Sequence, residues 1–333
     1  MKKVIYLAVL MSLTVISCKD SGSFKPNMTG AMGEVLIVVN ENVRTSNGGK
    51  YLLEMFRQEM QGLPQTEPLF KVSTISPTAL SSHLKLFRNL VIVTVSSDVQ
   101  TEGIKFFDAN SVWAKEQALM SIEAKNLDSL RDIVEKNEIR ILGFFLSAER
   151  NRNLTYYTKT SNAALMDQIR DTWGFRMVIP SSYKANKPKS GKNFKWYSLE
   201  TPTTSESVMV YTFDYIGEGT FSKEYLIFKR DSILKENIPG SFDDSYMATD
   251  INSPITYKTL TVNGHKTVEL RGLWKVIGDM MGGPFIMFAH FDEENNRVVV
   301  TDGYVYYPEK PEKRNYVLKV ESLLYSVKFP QTE

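Results

Sequence analysis

The stretch "ITYKTLTVNGHKTVELRGLW", residues 255–274, alternates polar with apolar or β-branched residues on both sides of Asn263-Gly264. Alternation with a period of two is typical of a half-buried strand. Asn-Gly favours the two positive φ angles of a type I′ turn, which joins neighbouring antiparallel strands. The stretch therefore predicts a β-hairpin, and with it an antiparallel sheet in this part of the chain.

The sequence around this hairpin supplies partners for it. We predict a second hairpin in "FIMFAHFDEENNRVVVTDGYVYYP", residues 285–308, with its turn near 294–296. Further elements are predicted from apolar patterning: strands at 174–180 ("GFRMVIP"), 194–200 and 205–215, and helices at 222–240 and 313–329. This pattern predicts one antiparallel sheet with helices on one face or both.

The first half of the chain mixes strands with helices. Apolar runs predict strands at 33–40, 70–76, 90–96 and 117–124. Helical spacing predicts helices near 51–60, from Pro77 to Phe87, from Asn126 to Phe145, and from Ser161 to Gly174. We therefore expect an α+β protein of two domains. They are an N-terminal mixed α/β layer domain over 33–173 and a C-terminal antiparallel sheet packed with helices over 174–333.

The order of these elements loosely resembles the α/β sandwich of the photosystem oxygen-evolving PsbP proteins and their Mog-like relatives. The resemblance covers the order of elements and includes no sequence motif. It implies nothing about function, because one fold supports many activities.

The N-terminus has the features of a bacterial lipoprotein leader. Lys2 and Lys3 precede an apolar run, and "VISC", residues 15–18, resembles a lipobox. We expect a signal peptide over 1–17, a diacylglycerol-modified Cys18 and a flexible tether over 18–32, whose polar, Gly- and Ser-containing sequence suits a linker. The alternative is a plain secreted protein whose leader happens to contain a cysteine.

Composition excludes several classes of protein. The chain has 40 Lys and Arg against 38 Asp and Glu, and two of the lysines lie in the leader. A balanced surface argues against a nucleic-acid partner, which requires a basic footprint. The single cysteine excludes an intramolecular disulfide and cysteine-based metal centres. We therefore predict no metal site and no cofactor.

Three local clusters invite a chemical interpretation, and each has a simpler one. "GDMMGGPF", residues 278–285, lacks the P-loop and dinucleotide motifs, so we interpret it as a tight connection in which Gly282 and Gly283 adopt unusual dihedrals. Asp243, Asp244 and Asp250 do not follow the calcium-loop order, which favours a solvated loop. The basic stretch consists of lysines 184, 187, 189, 192 and 195. It predicts a solvated loop, with anionic lipid or polysaccharide as the alternative partner.

Aromatic residues are the strongest candidates for a binding surface. Trp113, Trp274, Tyr304 and Tyr306 could line a face for a sugar or a peptide, and Tyr304 and Tyr306 share one face of a strand. The alternative is that most of them are core residues. His290 alternates with apolar residues, which predicts a core position and not a base, and no catalytic set of residues is recognisable.

Several segments together resemble a family of cell-envelope lipoproteins from Bacteroidota whose function is unknown. They are "GEVLIVVN" (33–40), "VWAKEQALMSIEA" (112–124), "GFRMVIPSSY" (174–183), "ELRGLWKV" (269–276) and "GGPFIMFAHFD" (282–292). The resemblance implies an envelope location and supplies no activity, cofactor or catalytic residue.

The leading hypothesis is a membrane-anchored envelope lipoprotein that is a binding or assembly module and not an enzyme. Its expected partners are the lipid bilayer, through acylated Cys18, and an envelope protein or glycan. The expected location is the outer membrane, on either its periplasmic or its surface face. The alternative is a hydrolase that acts on envelope glycans or peptides with two carboxylates in an interdomain cleft, and a third hypothesis is a scaffold for another envelope protein.

Overall fold

A computed structural model describes residues 25–109 and 111–330, and it shows an α+β protein with two β-sheets. Cys18, the predicted signal peptide and the start of the predicted tether lie outside the described residues. The first sheet, here called the N-terminal sheet, lies within residues 34–124, and the second, the C-terminal sheet, lies within residues 184–306. No helix in the described ranges is long and apolar enough to cross a membrane.

The N-terminal sheet has the strand order β2-β1-β3-β5-β4. Its strands are parallel except β4, which runs antiparallel to β5. The elements of this half are β1 (Glu34–Val38), α1 (Glu41–Arg44), α2 (Asn47–Arg57), β2 (Lys71–Ile75), β3 (Asn89–Val95), β4 (Gly103–Phe106), β5 (Ala118–Ala124), α3 (Leu127–Lys136), α4 (Glu138–Lys159) and α5 (Ala163–Trp173).

The C-terminal sheet is antiparallel throughout, in the order β10-β11-β12-β13-β8-β7-β6, and β9 pairs with the far end of β11. Short 3₁₀ turns at Pro77–Ala79, Leu84–Leu86 and Glu218–Phe221 connect elements. The elements of this half are β6 (Lys184–Ala185), β7 (Phe194–Glu200), β8 (Ser205–Asp214), α6 (Lys223–Asn237), β9 (Tyr246–Thr249), β10 (Thr256–Val262), β11 (His265–Ile277), β12 (Gly282–Asp292), β13 (Arg297–Tyr306) and α7 (Arg314–Leu324).

Helices cover both faces of the C-terminal sheet, because alternate residues of each strand enter different cores. On one face, Val208 and Val210 of β8 pack with α5 and α7. On the other face, Met209 and Tyr211 pack with α6. Because both faces of the sheet are buried, β12 and β13 contain long runs of apolar residues.

The 22-residue helix α4 joins the two halves. Its first turns bury Ile141 and Phe145 against the N-terminal sheet, and its last turns place Tyr157 in the core beneath α7. Midway, the carboxylate of Glu149 accepts hydrogen bonds from Arg88 Nε at 2.9 Å and from Asn89 Nδ2 at 2.6 Å, at the start of β3. The halves therefore share one helix and are packed against each other.

Most predicted elements are confirmed, and local turn chemistry accounts for the clearest cases. Asn263 and Gly264 have φ angles of 48° and 89° and connect β10 to β11, as the type I′ hairpin requires. The second hairpin connects β12 to β13 and turns at 293–296, where Asn296 has a positive φ. Gly174 ends α5 in the left-handed conformation.

Four predictions about elements are wrong. Residues 174–180 form no strand, although Arg176 bridges to Lys328, because no neighbouring strand runs along their whole length. The helix predicted from Asn126 to Phe145 is two helices that meet at Asn137. The helix predicted from Pro77 is two separate 3₁₀ turns. Positive φ in the glycine cluster occurs at Gly278, whereas 282–283 are part of β12.

Candidate functional site

The C-terminal sheet ends in a cavity of about 500 Å³ that is lined largely by aromatic and apolar side chains. We call it the aromatic pocket. Its walls come from β7 and β8 with their connecting turn, from β11 and β13, and from the loop after α6. The lining consists of Trp196, Glu200, Thr201, Pro202, Thr203, Thr204, Ser205, Ile238, Pro239, Gly240, Ser241, Met247, Trp274, Val276, Met281, Tyr304, Tyr306, Pro308 and Glu309.

The aromatic cluster of the pocket forms across neighbouring strands. The ring of Trp274 on β11 lies 5.2 Å from that of Tyr304 and 6.1 Å from that of Tyr306, both on β13. Gly283 of β12 stands opposite Trp274 in the ladder and makes this arrangement possible. A Cβ on Gly283 would lie 2.2 Å from the carbonyl oxygen of Val305 and 3.1 Å from Trp274 Nε1.

Polar groups are held among these rings. Ser205 Oγ donates to Glu200 Oε1 at 2.7 Å, and the hydroxyls of Ser205 and Ser207 lie 3.2 Å apart. Burial raises the pKa of Tyr304 to about 12, so its hydroxyl keeps its proton at neutral pH. The indole N–H of Trp196 is buried near the hydroxyl of Tyr304. The pocket thus combines flat apolar walls with a few oriented hydrogen-bonding groups, which is the usual chemistry of a binding pocket.

Exposed apolar residues are next in the chain to residues that line the pocket. Phe242 follows the lining residue Ser241, and its side chain is 65% exposed. Ile277 and Met280 are also exposed and stand next in the chain to the lining residues Val276 and Met281. Exposed apolar residues close to a pocket in the chain are candidates for an interaction site.

The charged residues that line the pocket are both acidic. Among the described lining residues, the charged ones are Glu200 and Glu309. Asp243, Asp244 and Asp279 stand on the adjoining loops. Hydrogen bonds from the Ser241 side chain and from the backbone N–H of Met280 lower the pKa of Asp279, which keeps it negatively charged. A ligand that places positive charge near an apolar group would fit this pocket.

The structure brings together three of the four aromatic residues that the sequence singled out. Trp274, Tyr304 and Tyr306 line the pocket, although Trp274 and Tyr304 are largely buried and also belong to the core. Trp113 belongs to the other half of the molecule, where it stands close to Lys85. Sequence reasoning missed the role of the loop 238–241. The signal available was Pro239-Gly240 after a helix, which predicts only that the helix ends there.

The remaining sequence candidates have structural roles. His290 is fully buried, as predicted, and burial lowers its pKa to about 3. Asp250 accepts hydrogen bonds from Ser253 Oγ at 2.7 Å and from Lys275 Nζ at 3.1 Å. Within 25–109 and 111–330, no group of three His, Cys, Asp or Glu residues is arranged to hold a metal ion. Of the basic stretch, Lys184 and Lys195 lie in β6 and β7 and not in a loop, which corrects the prediction. The backbone N–H groups of Lys189 and of the nearby Gly191 donate hydrogen bonds to Asn237.

Two further cavities bear on the hydrolase hypothesis. A groove of about 720 Å³ lies between the halves, and its described lining includes Asn151, Arg176 and Lys328 but no Asp or Glu. A cavity of about 380 Å³ at the hairpin tips is lined by His265 and Asp292, among others. Asp292 there accepts hydrogen bonds from Arg297 and Asn295, which occupy its oxygens.

Two parts of the chain match models of domains of unknown function. Residues 28–158 match the family model of a domain of unknown function, DUF8532, and residues 162–326 match that of another, DUF4837. No curated protein matches the chain. The boundary between the two matches falls at the end of α4, where the chain passes from one half to the other.

Comparison with solved structures gives distant similarities. The Ran-binding protein Mog1p of Saccharomyces cerevisiae is 11% identical with a TM-score of 0.29, over 47% of this chain and 91% of its own. A point mutant of the protein Mog1 is 10% identical with a TM-score of 0.30, over 46% of this chain and 89% of its own. A protein from Bacteroides thetaiotaomicron is 8% identical with a TM-score of 0.27, over 47% of this chain and 45% of its own. At these scores the α+β class rests on the sheets and helices of the structure itself.

Proposed function

We propose that this protein is a lipid-anchored envelope protein that binds another envelope protein, without catalysis, in the aromatic pocket. The observation that carries the proposal is the combination of a cavity of about 500 Å³ with acidic lining residues and with exposed apolar residues next to the lining in the chain. A segment of the partner would insert an apolar side chain into the pocket, and basic residues on either side of that side chain would face the carboxylates at the mouth.

The exposed apolar residues favour a protein over a glycan as the ligand. Phe242, Ile277 and Met280 expose apolar area to water, and covering such area contributes about 25 cal/mol per Å². A polar glycan covers such residues less well than an apolar peptide segment does. Carboxylates at the mouth would attract Lys or Arg on the partner and speed its encounter with the pocket.

The leader supports a lipid anchor. The positively charged start, the apolar run and the "VISC" motif at residues 15–18 agree with one another. Acyl chains on Cys18 would hold the protein at a membrane, since each buried CH₂ contributes about 0.8 kcal/mol. We propose the outer membrane as the location.

A crosslinking experiment in intact cells tests the partner. A photoactivatable benzoylphenylalanine replaces Tyr306 in the full-length protein, and the same group at exposed Tyr156 of α4 is the control. We expect a protein adduct from position 306 that is absent from position 156. Phe242→Ser should reduce this adduct about tenfold, because an exposed aromatic residue that anchors a partner contributes about 2 kcal/mol and about 1.4 kcal/mol is a factor of ten in affinity.

Phe228→Ser is the matched control for that experiment. Phe228 is 64% exposed, against 65% for Phe242, but it lies on α6 and neither of its chain neighbours lines the pocket, whereas Phe242 follows the lining residue Ser241. It should leave the adduct unchanged. An adduct to polysaccharide would show that the partner is a glycan and not a protein. Equal loss of the adduct in both serine variants would remove the pocket from the proposal.

The hydrolase remains the competing function, and it has its own measurement. Purified full-length protein is incubated with cell-wall and capsular glycans and with envelope peptides. Turnover that disappears in Glu200→Gln or Glu309→Gln, the two carboxylates at the pocket, would establish an enzyme and overturn the binding module.

Acylation of Cys18 is tested separately. Cells are labelled with an alkyne fatty acid, and the wild type is compared with Cys18→Ala. Label on the wild type alone is the expected result. Equal label on the two proteins would contradict a lipid anchor at this cysteine.

A further inference from the structure

Trp113 is partly exposed between two buried neighbours. Its neighbours Val112 and Ala114 are buried, while 38% of Trp113 is exposed. Gln117 Oε1 accepts a hydrogen bond from the backbone N–H of Trp113 at 3.0 Å, and Gln117 Nε2 donates one to the carbonyl oxygen of Lys85 at 2.6 Å. The loop is therefore fixed at its base, and the indole is held in contact with solvent.

The first described residues lie beside this loop. Lys25 Nζ donates to the carbonyl oxygen of Ala109 at 2.6 Å, and the backbone N–H of Lys115 donates to the carbonyl oxygen of Pro26 at 2.9 Å. Further along the chain, the N–H of Thr29 donates to the carbonyl oxygen of Leu86. Residues 25–29, which the sequence assigns to the tether, are thus bound to the surface that carries Trp113.

The distance to Cys18 is short. Seven residue steps separate Cys18 from Lys25. A fully extended chain covers at most about 3.6 Å per residue, so Lys25 lies within about 25 Å of Cys18 in any conformation. If acyl chains on Cys18 lie in a bilayer, the surface around Lys25 is among the parts of the protein nearest to the lipid.

Charges on this surface have both signs. Lys85 Nζ lies 5.6 Å from the centre of the Trp113 ring. Lys115 is next but one to Trp113 and bridges to Asn27, and Lys25 lies two residues before Asn27. Asp108 and Glu116 stand on the same loop. Attraction of about 1 kcal/mol per lysine to anionic headgroups is therefore partly offset by the acids. The indole is left as the main source of affinity for lipid.

We propose that the Trp113 surface, formed by Lys25, Lys85, Trp113 and Lys115, lies on the lipid bilayer with the indole at the level of the headgroups. Tryptophan prefers this level because its ring is apolar and its N–H is a hydrogen-bond donor. The inference rests on the proposed acylation of Cys18. It also assigns a role to the one predicted aromatic residue that lies outside the aromatic pocket.

Quenching by lipid tests the inference. The full-length lipidated protein is placed in vesicles whose phospholipids carry bromine on the upper acyl carbons, and tryptophan emission is compared with that in unbrominated vesicles. We expect emission to fall for the wild type and for Trp196→Phe. The fall should be absent in Trp113→Phe, because Trp173 and Trp274 are buried and Trp196 lines the aromatic pocket in the other half of the molecule.

The possible failures are distinguishable. Mass spectrometry and sedimentation with vesicles first establish whether Cys18 is acylated and holds the protein on lipid. An unmodified cysteine would overturn both the anchor and this inference. An acylated, vesicle-bound protein whose quenching is equal in wild type and Trp113→Phe would overturn the inference alone.

Discussion

Arg230 Nε lies 2.7 Å from Asp302 Oδ2, and neither side chain has any exposed surface. The pair joins α6 to β13 inside the core that also forms the floor of the aromatic pocket. Arg230 also donates to Thr249 Oγ1 at 2.9 Å, and its guanidinium lies 3.8 Å from the centre of the Phe285 ring. The two charges are thus enclosed by aromatic groups and hydrogen bonds. Because no water reaches them, each charge depends on the other for its stabilisation.

Removing one partner of this ion pair should destabilise the fold strongly. Asp302→Ala leaves the Arg230 charge buried without its carboxylate, and we expect the free energy of unfolding to fall by about 3–5 kcal/mol. The double variant Arg230→Met with Asp302→Leu should lose less than Asp302→Ala alone, because no charge is left unpaired. Urea unfolding measures both. A double variant that is less stable than the single one would contradict this account.

Acid should destabilise the protein through His290. Burial is the largest cause, and the nearby His265 the second, of the lowering of the His290 pKa to about 3. The unfolded chain binds a proton near pH 6.5, so acidification between about pH 6.5 and 3 favours unfolding. At pH 5 the contribution is about 2 kcal/mol relative to neutral pH, since each pKa unit corresponds to about 1.4 kcal/mol.

The measurement is the change in urea midpoint between pH 7 and pH 5. His290→Phe should flatten this change, because the phenyl ring has no proton to bind and suits the neighbouring Phe288 and Phe329. His83→Gln, at an exposed position, should keep the wild-type change. The same flattening in both variants would show that His290 is not the responsible group.

Gly283 should be intolerant of a side chain. In Gly283→Ala the new Cβ would meet the backbone carbonyl of Val305, which cannot move without disturbing the ladder between β13 and β8, where Val305 pairs with Glu206. We expect a loss of about 1–3 kcal/mol in unfolding free energy and a red shift of Trp274 emission as the indole is displaced. Thermal unfolding and fluorescence measure these.

Gly143→Ala is the control for that substitution. A Cβ on Gly143, within α4, would meet no atom within 4 Å. Because alanine has the higher helix propensity, this variant should gain about 0.5–1 kcal/mol. Destabilisation of similar size at both glycines would argue against the steric explanation at Gly283.

The side chain of Asn263 should stabilise the fold in addition to its role in the turn. Asn263 Nδ2 donates to the carbonyl oxygens of Tyr325 at 3.0 Å and Val327 at 2.6 Å, and so attaches the hairpin tip to the segment after α7. Asn263→Gly retains the positive φ but loses both bonds, and we expect a loss of about 1–3 kcal/mol. Asn296→Gly, at the corresponding φ in the second hairpin, should change stability by less than half as much. Equal losses at the two turns would contradict the role of the amide.

Local sequence accounted for much of the fold. Alternation and Asn263-Gly264 predicted the first hairpin, and Gly174 predicted the end of α5, because a turn or a helix end depends on a few adjacent residues. The strand predicted at 174–180 was wrong because a strand also requires a neighbour with unpaired backbone groups. Sequence contains no local signal for that neighbour. The short strands β4 and β9 were missed for the same reason.

The candidate site was likewise predictable only in part from local sequence. The period of two along β13 was enough to place Tyr304 and Tyr306 on one face. Their meeting with Trp274 depends on the register of β11 against β12 and of β12 against β13, which side-chain packing across the whole sheet selects. The same long-range packing put Trp113 on another surface.

The sequence by itself determined the class of fold, the two hairpin turns, the single cysteine and the balance of charge, since each follows from composition or from residues adjacent in the chain. Tertiary structure alone decided which aromatic residues form a pocket, which apolar residues next to its lining are exposed, and that Trp113 stands beside the first described residues. Those relationships join residues separated by many positions, and they exist only after the strands have paired and the helices have packed.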